Sequence, residues 1–423
     1  MSNLKLVYLK DVADSQTGPF GSQLHQSDYV SEGTPMVTVE HLGIERFTHQ
    51  NLPFVSDKDR DRLSKYILNE GDIVFSRVGS VDRCTYVTKE EDGWMFSGRC
   101  IRVRANEKAN GRFLNFYFRQ DSFKKMMLDI SVGATMPSLN TKLMDNIPLR
   151  LPNYQTQQKI AKVLSDLDTK IELNNKINAE LEAMAKTFYD YWFVQFDFPD
   201  ANGKPYKSSG GKMVLNEELK REIPEGWEVK ELIDIESNII TGKTPSTKDE
   251  ENFGGDIPFV TIDDIRQQLF VFNAERTLTK KGGDSQINKY LQPGDICVSC
   301  IGTIGVIGII GKICQTNQQI NSISNISDYN RYFLLNALKD YFHFNVAAKK
   351  GAVLDNMNKG DFSIIPILDA TTDLKIRYNK TVKSFYSKIE INLKENQELA
   401  SLRDWLLPML MNGQVSVGDA KPE

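Results

Sequence analysis

The amino-acid sequence predicts an α+β molecule in which two pseudo-symmetric, strand-rich domains are separated by two long antiparallel coiled-coil helices. Three observations carry that prediction. The first is an internal repeat: Leu68, Gly71, Asp72, Ile73, Ser76 and Gly79 recur 223 positions later as Leu291, Gly294, Asp295, Ile296, Ser299 and Gly302. Further on the offset is 218, carrying Gly133-Ala134 onto Gly351-Ala352, Ile147-Pro148 onto Ile365-Pro366 and Lys170-Ile171-Glu172 onto Lys388-Ile389-Glu390. So long a period marks a duplicated domain rather than a solenoid unit of about 20–50 residues. The second observation is that each copy ends in a long amphipathic helical pattern. The third is that short β-branched runs follow the same order in both copies, as in Pro35-Met-Val-Thr-Val39 and Pro258-Phe-Val-Thr-Ile262.

The first domain is assigned to 1–152. Runs at 36–39, 72–75 and 100–103, bounded by Gly, Asp and Asn, read as strands. Apolar Phe113, Leu114, Tyr117, Phe118 and Met126 predict one helix over 113–128. A loop at 132–140 then leads to a short strand reaching Ile147. The first long helix is expected over 153–197, where neither Gly nor Pro interrupts the chain, with Asn153 or Thr156 as its cap. Its seam advances in steps of three and four: Ile160, Leu164, Leu167, Ile171, Asn174, Asn178, Leu181, Met184 or Ala185, Phe188 and Trp192.

A polar connector at 198–222 precedes the second domain at 223–368, and the second long helix is assigned to 369–412. Its seam is Tyr378, Val382, Phe385, Ile389, Asn392, Asn396, Leu399, Leu402, Leu406 and Leu410, with a kink or break expected at Pro408. Residues 413–423 are expected to be a disordered tail. Asn174 and Asn178 map onto Asn392 and Asn396 at the 218 offset, so both helices carry a polar pair at matching depth. Buried asparagines cost stability but fix register, and in an antiparallel pair these amides meet across the pseudo-dyad.

Composition excludes several classes. The chain of 423 residues has room for two or three cores, and no run approaches the roughly 18–20 apolar residues of a membrane span. No signal-peptide pattern opens the sequence, and five scattered cysteines suit a reducing cytoplasm. A net charge of −4 argues against indiscriminate coating of nucleic acid, yet Arg77, Arg83, Arg99, Arg102, Arg104, Arg112 and Arg119 crowd one stretch. Lys280, Lys281, Lys289, Lys312, Lys349 and Lys350 supply the second half.

Catalytic motifs are missing. Thr241-Gly-Lys-Thr244 lacks the earlier glycine of a phosphate loop, since residue 237 is Ser. Cys297-Val-Ser-Cys300 has no second ligand pair and aligns with Val74-Phe-Ser-Arg77, so it reads as strand rather than zinc site, and no metal is assigned. There is no Gly-x-Gly-x-x-Gly, no Pro-Pro dipeptide and no plausible histidine pair. Glu228-Val-Lys230 echoes a nuclease motif without an acidic partner at sensible spacing. Two similar modules do match one large partner of the same symmetry, duplex DNA with two half-sites.

These motifs, in this order and duplicated, resemble the specificity subunit of type I restriction–modification enzymes over nearly the whole chain. The resemblance is carried by Gly71-Asp-Ile73 with Gly79-Ser80, Gly294-Asp-Ile296 with Gly302-Thr303, Gly133-Ala-Thr-Met-Pro-Ser-Leu139 and Thr241-Gly-Lys-Thr-Pro-Ser246. Phe188-Tyr-Asp-Tyr-Trp-Phe-Val-Gln-Phe-Asp197, leading to Ile223-Pro-Glu-Gly-Trp227, is its strongest stretch. It implies two target-recognition domains, each reading half of a split sequence in double-stranded DNA, with a helical spacer between them. It implies no activity in the isolated chain. Two modification subunits and restriction subunits would supply adenine methylation, translocation and cleavage, and would use S-adenosylmethionine, ATP and Mg, leaving this chain without a cofactor. The lead-in Ile-Pro-x-Gly-Trp precedes only the second domain, and the loop Gly351-Ala-Val-Leu-Asp-Asn-Met357 lacks the Pro and Ser of the first.

On this reading the DNA contacts are Arg77, Ser80, Arg99, Arg102, Thr135, Ser138 and Asn140 in the first domain. In the second they are Lys243, Thr244, Thr303, Asn317, Gln318, Lys349 and Asn356. The spacer rests on Leu167, Ile171, Asn174, Leu181, Phe385, Ile389, Asn392 and Leu399. Tyr189, Trp192 and Trp405 either dock the modification subunits or fill the coil's own core. A stand-alone DNA-binding regulator and a coiled-coil protein scaffold are the competing readings.

Overall fold

All four residues of Ile73–Ser76 are buried, as a short, nearly continuous apolar run between turn residues requires of a strand covered on both faces. In the computed structural model, which describes residues 4–418 apart from 22, 134 and 349–355, this strand sits inside an antiparallel sheet. The sheet order is Ala13–Thr17, Cys100–Ala105, Ile73–Ser76, Cys84–Tyr86. A second sheet joins Tyr29–Val30, Phe54–Val55, Thr34–Val37 and Met95–Phe96, the last two strands running parallel. Lys5–Tyr8 pairs with Pro148–Leu151.

The chain divides into two units, Met1–Ile171 with Gln397–Glu423, and Glu172–Asn396. The second unit repeats the first. Its main sheet orders Ile239–Thr241, Ile320–Ile323, Ile296–Ser299, Ile307–Ile310 and Phe270–Val271, and its smaller sheet again contains a parallel pair, Phe259 opposite Gln315. The correspondence extends to single hydrogen bonds. Gly71 N–H donates to Val87 O (3.0 Å) as Gly294 does to Ile310 O (2.7 Å). Leu139 N–H donates to Arg77 O (2.9 Å) as Met357 does to Cys300 O (2.8 Å). Gly79 and Gly302 hold φ of 82° and 76°, which explains why glycine recurs there.

The repeated Asp72 and Asp295 cap the turn before the central strand, accepting N–H groups from Asn69 (2.8 Å) and Gln292 (2.7 Å). Their remaining partners differ. Arg104 grips Asp72 through two bonds of 2.7 Å, whereas Asp295 receives only Ser324 Oγ and the Asn325 N–H, and burial pushes its carboxyl pKa up.

The long helices are Tyr154–Tyr189, followed by a π turn at Asp190–Val194, and Thr372–Met411. Asn153 is the cap of the first, its Oδ1 accepting the Thr156 N–H at 2.9 Å. The helix pairing is antiparallel and runs through the asparagines. Asn392 Nδ2 donates to Asn178 Oδ1 (2.8 Å), Asn174 Nδ2 to Asn396 Oδ1 (2.9 Å), and Asn396 Nδ2 to Asn175 Oδ1 (2.8 Å). Ile389 is buried at this seam, while Leu167, Ile171, Leu181, Phe385 and Leu399 are half-buried. Ala185 rather than Met184 faces inward.

Several sequence expectations require correction. The single helix over 113–128 is two, Gly111–Arg119 and Asp121–Ile130, with Gln120 extended between them. Phe118 and Phe123 pack at 4.6 Å across this break, a contact that five residues on one continuous helix would point apart. The chain before Ile147 is a helical turn, Thr141–Asp145, not a strand. The 198–222 connector contains most of a hairpin, Met213–Asn216 against Arg221–Pro224. Helix continues through Pro408 to Met411, so the chain does not break at the proline. The tail is placed as far as residue 418, with Val417 against the first unit's core; 419–423 lie outside the described residues.

Leu402 is 44% exposed, and Arg403 takes the inward position instead. The reason is ionic. Arg403 Nη1 binds Glu45 and Asp168, the latter at 2.8 Å, and Arg119 binds the same two carboxylates at 3.1 and 3.2 Å. Arg112 approaches Asp168 at 3.7 Å. At the position 218 later the second unit has Tyr386, stacked on Tyr332 at 4.0 Å and hydrogen-bonded through its hydroxyl to Asn336. One joint is ionic, the other aromatic. Replacing Asp168 with Ala removes the shared anion from beneath Arg112, Arg119 and Arg403, and is expected to cost about 3 kcal/mol in chemical denaturation; a loss below about 1 kcal/mol would mark the cluster as solvent-screened.

Candidate nucleic-acid interface

Most of the expected contact residues that are described gather around equivalent ends of the main sheets. In the first unit, strand Ile73–Ser76 runs into Arg77 and the Gly79 turn, and Cys100–Ala105 begins beside Arg99. The 132–140 loop folds onto this turn. Val132 and Ser138 exchange backbone bonds of 3.0 and 2.9 Å, and Gly79 N–H donates to Pro137 O at 2.9 Å. Gly18 completes the arrangement: an added Cβ would lie 2.1 Å from Ser97 O, so only glycine permits this approach.

The second unit builds the same end with different side chains. Gly242 meets Asn317 O at the same 2.1 Å limit, and Ile301 pairs with Asn356. Thr244 Oγ1 donates to Gln318 Oε1 (2.7 Å), Asn317 Nδ2 to Gln319 Oε1 (3.0 Å), and Arg266 Nη2 to Thr303 Oγ1 (3.1 Å). The amides of Gly242 and Lys243 are spent on Ile320 O and Thr316 O, which leaves them no role as a phosphate cradle. Lys349 lies outside the described residues.

The arginine-rich stretch proves to be mostly structural. Arg102 is 4% exposed and is held by Asp14 (3.2 Å) and Lys65 O (3.2 Å), so it cannot reach DNA without unfolding its surroundings. Burial lowers its pKa. Arg83, Arg104, Arg112 and Arg119 also donate to protein oxygens. Arg77 is half-buried, bonded to Leu139 O and Gly98 O, with its guanidinium 4.9 Å over the Phe20 ring. Arg99, in contrast, is exposed and has no side-chain hydrogen bond or ion pair with another described residue.

Among the other expected contacts, Ser80 and Thr135 are exposed on their loops, while the Ser138 hydroxyl donates to Val132 O (3.0 Å). Asn140 is a helix cap, its Oδ1 accepting the Leu143 N–H at 2.9 Å, and Asn358 repeats that role in the second unit. Tyr189 and Trp192, expected either on a docking face or in the coil's own core, are each 6% exposed and pack with Phe193 and Tyr378 in the second unit's core, which removes them from the docking face. The aromatic run could not be split between core and surface by spacing alone. Trp405 stays 56% exposed.

Sequence reasoning missed a cleft. Beside Arg77 and Arg99, a depression of about 600 Å³ is also lined by Phe20, Tyr29, Glu40, His41 and Asn51. The only signal for it in the sequence is the Pro35–Val39 repeat, whose flanking residues differ between copies.

A family model described as the type I restriction modification DNA specificity domain matches residues 1–183 and 224–401. The specificity subunit of the type I restriction enzyme HindI from Haemophilus influenzae is 30% identical, over 88% of this chain and 92% of its own. That of MjaIX from Methanocaldococcus jannaschii is 27% identical, over 72% and 69%. The crystal structure of a type I restriction-modification system S subunit from M. genitalium aligns with 97% of this chain and 96% of its own. It has a TM-score of 0.61 at 14% identity, which is a likeness of fold.

The cysteines are buried strand and loop residues. Burial pushes the thiols of Cys84, Cys100 and Cys297 up to about 12 and that of Cys300 to about 11. At pH 8 a thiol-specific disulfide reagent should therefore label less than one cysteine per native chain and all five after denaturation; rapid native labelling would contradict this burial.

Proposed function

We propose that this chain, which belongs to the type I restriction–modification DNA specificity family, reads a split target in duplex DNA with one half-sequence per unit. It is the specificity subunit of a type I restriction–modification system, and its task is recognition of the DNA target. The observation that carries the two-reader proposal is the duplicated sheet end, where backbone bonds coincide and exposed side chains differ. A protein that reads two unlike half-sequences needs one scaffold twice and two sets of groups for base edges.

Methylation of adenine and cleavage belong, on this reading, to partner chains that bind S-adenosylmethionine, ATP and Mg. Two modification subunits dock on the outer faces of the long helices, with exposed Trp405 and Leu402 as contacts, and restriction subunits join them. This chain contributes no catalytic group and works in the cytoplasm, where the DNA is. No helix among the described residues is long and apolar enough to cross a membrane. Mapping methylated adenines in a host with and without the gene tests the assignment: a split motif should vanish with the gene, and an unchanged map refutes it.

The helices set the gap between half-sequences. Four residues inserted at matching points of Tyr154–Tyr189 and Thr372–Met411 add about 6 Å, close to two base pairs at about 3.4 Å each. The recognised gap should lengthen while both half-sequences persist. Methylation at the original gap would contradict the spacer.

A further inference from the structure

The cleft beside Arg99 holds a set of polar groups that the fold does not use. Glu40, Asn51 and Arg99 all line it, all are exposed, and none is engaged in a side-chain hydrogen bond or ion pair with another described residue. Asn51 is one of four described non-glycine residues with positive φ, at 55°. His41 lines the same space at 4% exposure. Its Nδ1 accepts the Thr38 N–H at 3.0 Å, which leaves Nε2 as the ring's hydrogen-bearing nitrogen. Carboxylate acceptor, amide, guanidinium and imidazole donor thus share one depression with the rings of Phe20 and Tyr29.

The second unit supplies an internal control. Its Thr261 N–H donates to Asp264 Oδ2 at 2.7 Å, the same turn that Thr38 and His41 form. Phe259 N–H bonds Arg276 O (2.9 Å) as Met36 N–H bonds Pro53 O (2.8 Å), and Cys300 N–H bonds Gln319 O (2.7 Å) as Arg77 N–H bonds Arg99 O (2.8 Å). Those bonds place Glu40 opposite Asp263, His41 opposite Asp264, Asn51 opposite Ala274 and Arg99 opposite Gln319. The scaffold is kept and the lining is exchanged. Asp263 is moreover paired with Arg266 (2.7 Å), and Gln319 with Asn317 (3.0 Å), so the second lining is already committed. At these positions the fold sets the backbone and leaves the side chain open.

We infer that this cleft is a base-reading site of the first unit, with Glu40, Asn51 and Arg99 as its specificity-determining residues. The ligand is the edge of one or two bases in duplex DNA. Arginine matches guanine O6 and N7, asparagine matches adenine N6 and N7, and a carboxylate accepts from the cytosine amino group. The inference rests on the DNA reading above and assigns it to particular side chains.

The test is selection of bound duplexes from a randomised library by the full chain in its complex with modification subunits, comparing wild type with Glu40→Gln, Asn51→Ala and Arg99→Gln. The expected result is a loss of preference of about tenfold or more at one base of one half-sequence per variant, with the other half-sequence unchanged as control. An unchanged consensus in all three variants overturns the inference. So does uniform weakening across all sequences, which would make the groups phosphate or partner contacts. A wild-type complex that selects no sequence overturns the DNA reading itself, which the variant results alone leave standing. Thermal denaturation of each variant checks that the fold is kept, Asn51→Ala above all, because Asn51 holds a positive φ that favours asparagine over alanine.

Discussion

Apolar closure by the two long helices is the constraint on which everything else depends. Each unit draws part of its core from both helices, and the first must take it from a separate stretch of chain, Gln397–Glu423. In the first, Ile160, Ala161 and Leu164 from one helix and Leu410 and Met411 from the other lie in the cluster that holds Phe75, Phe113 and Phe118. In the second, Ala185 and Tyr189 meet Tyr378, Val382, Tyr386 and Ile389 over Ile296 and Ile323. Burying side chains of this size is worth about 1.5–3 kcal/mol each, so the helices are structural parts of both units. The asparagine contacts add direction rather than stability, since one atom of each of Asn178 and Asn392 is buried without a partner.

Given that closure, duplication has left a division of labour. Backbone bonds around Gly71 and Gly294, the Gly18 and Gly242 approaches, and the caps at Asn140 and Asn358 recur because the strand ends cannot close otherwise. Side chains that the fold does not hold have diverged. The helix joints diverged as well, to an Arg–Asp–Glu cluster in one unit and a tyrosine stack in the other, which shows that one mechanical role accepts either chemistry.

The sequence was most informative where periodicity and repetition reinforced one another. Both helices, the asparagine register and the central strands were legible because a duplicated signal cannot arise from local composition. The site was less legible. Arg102 and Arg99 look alike in a list of basic residues, and only the third dimension shows one bonded to Asp14 and the other facing a cleft. Glu40, His41 and Asn51 carried no motif, because residues that line a cleft from separate loops have no fixed spacing to obey. Leu402 and Arg403 exchanged places relative to the heptad because Glu45 and Asp168, distant in sequence, demanded a cation.

The ionic joint has a consequence for how the protein is made. Arg403, Leu410 and Met411, which complete the first unit, leave the ribosome only after the whole of the second unit has been made. Translation at about 5–20 residues per second separates Ile171 from Gln397 by roughly 10–45 s. Through that interval the amino-terminal sheet stands with part of its apolar surface uncovered and Asp168 lacks one of its guanidinium partners. A nascent chain cut short anywhere before this point leaves the first unit unfinished, so synthesis through the second long helix is itself a condition of that unit's stability.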